Sequence, residues 1–151
     1  MNEDFFAYFW LICGFWVGIG NALFMRLSLR KPIAMGQFTK AEVNAFLLKC
    51  ALWIFLPCLA LWLLQQSCGT GTPLEYLKWP EPQKTAALAL QLFLWGALLY
   101  WVFRRSGANT LSRYVMAAKP SMGLFVRPIV FKAIAVIAVL GGLVSLFATH
   151  T

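Results

Sequence analysis

Four long apolar stretches constrain what this chain can fold into. They cover residues 5–25, 45–64, 85–103 and 125–148, so each is about 19 to 24 residues long. An α-helix of roughly 20 apolar residues crosses the hydrocarbon core of a bilayer, whereas membrane strands alternate apolar and polar residues over about ten positions. No such alternation occurs in these stretches. The sequence therefore predicts an all-α, polytopic membrane protein, a single domain over residues 1–151 that forms a four-transmembrane-helix bundle.

Composition supports this interpretation. The chain is 61% hydrophobic and only 12% charged. Soluble domains are about 45–50% apolar and about 25% charged, so a soluble fold is not expected. The net charge of +8 is concentrated in short loops, a pattern of topology signals and contacts with anionic phospholipids rather than with nucleic acid.

The basic residues predict the orientation of the chain. The loops after the first and third stretches contain most of them: Arg26, Arg30, Lys31, Lys40, Arg104, Arg105, Arg113 and Lys119. The loop after the second stretch balances Lys78 and Lys84 with Glu75 and Glu81. Because basic loops stay in the cytoplasm, we expect a multi-pass protein of the cell (inner) membrane with both termini on the outer, periplasmic side.

Short helices are expected in the loops. A capping box at residues 39–42 predicts that the second spanning helix begins near Lys40, and a second box lies at residues 72–75. Tyr76 and Trp79, which follow it, are expected at the headgroup layer. Residues 110–119 have an apolar side and a basic side, so they predict an amphipathic interfacial helix.

Residues that carry chemistry are scarce inside the apolar stretches. All five acidic residues lie outside them, and the single histidine is the penultimate residue. The four cysteines form no C-x-x-C pair; they either fill apolar space or form a disulfide among Cys13, Cys58 and Cys68. We therefore expect no catalytic residues, no metal site, no cofactor and no enzymatic activity.

Small residues mark two seams where helices can approach closely. The first is a GxxxG motif with a nearby amide, and the second lies in the fourth stretch: Gly14, Gly18 and Asn21, then Ala138, Gly141, Gly142 and Ser145. Either seam can pack helices within one chain or between protomers, and we expect a homo-oligomer or a complex with another membrane protein.

Basic residues at the predicted inner helix ends suggest a site for a phosphate or an anionic lipid headgroup. They are Lys49, Arg104, Arg105, Arg127 and Lys132. Lys132 lies deepest, and snorkelling of its long side chain to the interface is the alternative explanation.

These features predict a small membrane protein that acts through helix–helix and lipid contacts as an accessory or interaction subunit, such as an assembly factor or an immunity or exclusion protein. The alternative is a homo-oligomeric channel or transporter that passes an anion or an anionic lipid-linked substrate through a basic cytoplasmic vestibule. A lipid-modifying enzyme ranks third because no acid, histidine or cysteine pair is placed for proton transfer inside the bilayer.

Overall fold

The computed structural model describes residues 6–68 and 76–148. This part of the chain is all-helical, with 88% helix and no strands, which confirms the predicted class. It contains these helices: α1 (Phe9–Ser28), α2 (Arg30–Ala34), α3 (Lys40–Cys68), α4 (Gln83–Arg104), α5 (Gly107–Ala118) and α6 (Pro128–Ala148). Short 3₁₀ segments at Tyr76–Lys78 and Pro120–Val126 precede α4 and α6.

Three of these helices are long and apolar enough to cross a membrane. They are α1 with 20 residues, α3 with 29 and α4 with 22. The fourth apolar stretch starts at residue 125, but 3₁₀ turns interrupted at Gly123 continue to Val126, and α6 begins at Pro128. Proline favours the first helical position because it has no backbone N–H to leave unsatisfied there. The predicted start of the first span, Phe5, lies outside the described residues.

A π-helical segment interrupts α1. It covers Gly14–Gly20, between the α-helical segments Phe9–Cys13 and Asn21–Ser28. In a π-helix each N–H bonds to the carbonyl five residues earlier, and such segments are rare outside single turns. The segment contains both glycines of the GxxxG motif.

The chain divides into two compact units, Met1–Leu90 and Gln91–Thr151. In the first unit, α1 and α3 pack antiparallel through a tight turn that includes α2. Leu29, Phe38 and Val43 are buried in and beside this turn. The Thr39 hydroxyl accepts a hydrogen bond from the Glu42 backbone N–H (3.2 Å), while the Glu42 carboxylate accepts one from the Thr39 N–H (2.9 Å). The capping box and the start of α3 at Lys40 are therefore confirmed.

The Cys68 end of α3 forms a second buried cluster in the same unit. Leu61, Trp79 and Ala87 form its core, and Trp10 packs against it. Trp79 is only 3% exposed, so its ring does not face outward as that of an interfacial anchor would. The ring is instead covered by apolar side chains, which offer a large aromatic surface more contact than the interface does. The capping box predicted at residues 72–75 lies outside the described residues.

The second unit packs α5 against the ends of α4 and α6. Val102, Ala108 and Ala135 form its buried core. The helix predicted from residue 110 begins at Gly107, because Ser106 takes a left-handed conformation (φ 56°) that separates it from α4. The buried Ser112 hydroxyl donates a hydrogen bond to the Val126 carbonyl, which fastens α5 to the segment before α6.

Candidate functional site

A groove lies between α1 and α3 in the first unit. Its volume is about 480 Å³, and eight of the ten side chains that line it are apolar. The lining residues are Ile19, Ala22, Leu23, Arg26, Asn44, Leu47, Leu48, Ala51, Leu52 and Phe55.

The helical repeat of α1 and of α3 explains how the groove is lined. On α1 the lining residues recur at intervals of three and four, and on α3 they form a stripe from Asn44 to Phe55. Such intervals place side chains on one face of a helix. Ala22 and Ala51 are the smallest lining residues and leave space that their larger neighbours do not fill.

The GxxxG glycines hold the two helices together next to the groove. An ideal Cβ on Gly14 would lie 2.7 Å from the Cys58 Cβ, and one on Gly18 would lie 3.1 Å from the Ala51 carbonyl oxygen. Real Cβ atoms essentially never come as close as the first distance, and the second is tighter than most contacts, so the helix approach needs glycine at 14 and favours it at 18. The structure therefore places this motif inside the chain, against α3. The four cysteines are free thiols.

Asn21, the third residue of the predicted first seam, does not bridge two helices. Its side-chain amide donates a hydrogen bond of 2.9 Å to the Val17 carbonyl in its own helix, and the residue is exposed. Within the described chain the Asn21 amide therefore bonds to its own helix, and a contact of this residue with a partner helix stays a prediction. The carbonyls of a distorted helix segment offer a nearby acceptor, which competes with any partner.

The predicted second seam is divided between two faces of α6. Gly142 faces inward, where an ideal Cβ would overlap the Trp95 ring, whereas an ideal Cβ on Gly141 would meet nothing within 4 Å. Ala138 is exposed, as Gly141 is. The side chain of Ser145 lies outside the described residues. Ala135, two turns before Gly142, lies on the same packed face of α6 in the second unit.

The structure brings together only some of the predicted basic residues. Contacts between Val102 and Ala135 bring the end of α4 against the first half of α6. Arg104 is the last residue of α4, Arg105 follows it, and Arg127 directly precedes α6. All three are exposed. In the same unit the Lys132 ammonium lies 5.6 Å from the centre of the Phe103 ring, a cation–π distance. Lys49 belongs to the first unit and is exposed.

Arg26 and Asn44 are the polar residues of the groove, and sequence reasoning missed both as site residues. Arg26 lies in the last turn of α1, and Asn44 in the second turn of α3. Both therefore lie at the end of the groove nearest the α2 turn. Among residues 6–68 and 76–148, no hydrogen bond or ion pair engages the Arg26 guanidinium. The sequence contained one signal for this site: the groove-lining residues of α3, Asn44 to Phe55, share one helix face, and Asn44 is the polar residue among them.

At the opposite end of the first unit, α3 holds the first residues of the described chain. Trp62 and Gln66 donate hydrogen bonds to the Ala7 carbonyl (3.1 and 2.9 Å), and Gln65 donates one to the Phe6 carbonyl (3.0 Å). These side chains satisfy backbone groups and so stabilise the fold. Within the described ranges, no group of three His, Cys, Asp or Glu side chains is placed to hold a metal ion.

Comparisons with protein-family models, with curated proteins and with solved structures found no match for this chain. Its function therefore has to be inferred from the geometry of the groove and of the helix surfaces.

Proposed function

We propose that this is a four-span protein of the cell (inner) membrane with both termini on the outer side. The backbone of α6 is helical over 21 residues, which corresponds to about 31 Å and matches a hydrocarbon core of about 30 Å. With α6 as the fourth span, the two basic loops lie on the same side. The positive-inside rule then places them in the cytoplasm.

We further propose that the protein acts as an accessory subunit that binds other membrane helices, including a second copy of itself. The observation that supports this most directly is the outward face of α6, where Gly141 has open space beside it and Ala138 is exposed. In lipid, helices associate where small residues allow close van der Waals contact. Gly14 and Gly18 already make such a contact within the chain.

The mass of the complex released from native lipid nanodiscs tests this function. We expect the wild-type protein to be recovered with a second copy or another chain, and Gly141→Leu to reduce that complex. Ala133→Leu is the matched control: Ala133 is also exposed but lies about 80° around the helix from Gly141. A purely monomeric wild-type protein, or equal effects of the two variants, would contradict the proposal.

A channel or transporter for an anion is the second candidate. It is favoured by Arg104, Arg105 and Arg127, which lie at the same end of the second unit and are exposed. Rings of cationic side chains select anions in pores. Flux of an anion into reconstituted vesicles that falls in Arg127→Ala and Lys132→Ala would support this candidate, and an absence of flux would remove it.

A further inference from the structure

We infer that the groove between α1 and α3 binds one molecule of a monoanionic phospholipid from the cytoplasmic leaflet. Its phosphate binds Arg26 and Asn44, and one acyl chain lies along the apolar walls. This inference rests on the proposed membrane insertion and orientation, but not on the proposed partner helix.

The length of the groove fits one leaflet. Asn44 and Phe55, at its two ends on α3, are eleven residues apart, which corresponds to about 16 Å of helix. Half of the hydrocarbon core is about 15 Å thick. A lipid with its phosphate beside Asn44 would therefore extend its acyl chain about to the middle of the bilayer, level with Phe55.

The width of the groove favours an extended chain over a helix as the occupant. A volume of about 480 Å³ over a length of about 16 Å gives a mean cross-section of about 30 Å². The cross-section of an α-helix with its side chains is about 80 Å² or more. A single extended chain therefore fits within the groove along its length, whereas a helix would insert only part of its side chains.

The charge at the mouth of the groove selects the headgroup. Arg26 and Asn44 line this end of the groove. A guanidinium carries several N–H donors in one plane, which suits two oxygens of a phosphate, and an asparagine amide can add one more donor. No carboxylate is among the lining residues. One cation complements one negative charge, so a phosphodiester without further charge fits better than a zwitterionic headgroup.

Native mass spectrometry of the full chain tests this inference. The protein is taken from nanodiscs of phosphatidylcholine with a minor share of phosphatidylglycerol, and the lipids retained by each protein molecule are counted. We expect one phosphatidylglycerol to be retained preferentially. Arg26→Gln is expected to lower this retention about fivefold, the factor that corresponds to one arginine–phosphate contact near a membrane surface.

Two matched controls make the result decisive. Arg30→Gln removes the same charge one turn further along, at an exposed residue that does not line the groove, and we expect less than a twofold change. Ala22→Leu fills the groove and is expected to lower the retention of both lipids, whereas Val17→Leu, at an exposed residue outside the groove lining, is not. Soluble glycerol phosphate is not expected to displace the lipid, because it has no acyl chain.

Equal losses in Arg26→Gln and Arg30→Gln would overturn the inference, since they would show only a general surface charge. Unchanged retention in Ala22→Leu would overturn it as well. The Gly141→Leu variant separates this inference from the proposed function: it is expected to keep the bound lipid. If Gly141→Leu leaves the complex intact while Arg26→Gln loses the lipid, the proposed function fails and the lipid site stands.

Discussion

Replacing Gly142 with alanine measures how tightly α6 packs on Trp95, and the adjacent glycine provides the control. Gly141 and Gly142 are neighbours in the same helix, so their backbone environments are nearly alike. Only Gly142 faces the tryptophan ring. Comparing Gly142→Ala with Gly141→Ala therefore isolates the effect of one methyl group at the contact.

The magnitude can be worked out from the distances. The added methyl at position 142 would lie 2.9 Å from the Trp95 Cη2 and 3.0 Å from its Cε2, with the Cζ2 closer still. Ordinary carbon contacts begin near 3.4 Å, and the Cζ2 lies well inside that limit, so the ring or the helix has to move by about one ångström. Overpacking of this kind destabilises a protein by about 1–3 kcal/mol, and the preference of a helix for alanine over glycine offsets about 0.5–1 kcal/mol.

We therefore expect Gly142→Ala to lower the free energy of unfolding by about 0.5–2 kcal/mol and Gly141→Ala to raise it by about 0.5–1 kcal/mol. Titration with a denaturing detergent, followed by circular dichroism, gives both values. In a Trp95→Phe background the two alanine variants are expected to become alike, because phenylalanine lacks the crowded ring atoms. Equal stabilities of Gly141→Ala and Gly142→Ala in the wild-type background would refute the reasoning.

Two further predictions concern helix ends outside the membrane. Thr39→Ala removes the hydroxyl that caps α3 and is expected to destabilise the protein by about 1 kcal/mol. Thr39→Ser, which keeps a hydroxyl, is the control in the same unfolding measurement. Equal stabilities of Thr39→Ala and Thr39→Ser would contradict this prediction. The hydrogen bond from the Thr85 side chain lowers the pKa of Glu81 from its ordinary value. A carboxyl group whose pKa is lowered by folding stabilises the protein at pH values above its unfolded-state pKa, and this stabilisation is lost as the pH falls through its folded-state pKa. The difference in Tm between wild type and Glu81→Gln is therefore expected to shrink below about pH 4. A difference that is constant with pH would contradict this assignment.

Local signals in the sequence were sufficient for several features of the fold. The capping box predicted the start of α3 at Lys40, because its donors and acceptors lie within four residues of one another. The four long apolar stretches predicted the helical class, and three of them contain a helix of membrane length, since length and composition are local properties. A helix lies where the interfacial helix was predicted, but it begins three residues earlier, because the left-handed Ser106 leaves no signal in the helical repeat.

Local signals were insufficient where the answer depends on which helices meet. Trp79 is buried because Leu61 and Ala87, distant in sequence, cover it. Asn21 bonds to the carbonyl four residues earlier in its own helix, as Ser28 does. The groove could not be predicted, since Arg26 and Asn44 become neighbours only through the antiparallel packing of α1 on α3. Spacing within one helix does not determine the register between two.

The π segment at Gly14–Gly20 also fixes the rotational setting of the later residues of α1. A π turn accommodates one residue more than an α turn, so relaxation of this segment to a regular helix would rotate the residues beyond Gly20 by about 100° relative to those before it. Gly14 lies at the start of this segment and is seated on α3, so that rotation would carry Arg26, beyond the segment, off the groove lining that it shares with Asn44. The extra residue is thus a spacer that sets the phase between a close helix contact and a charge about three turns further along α1.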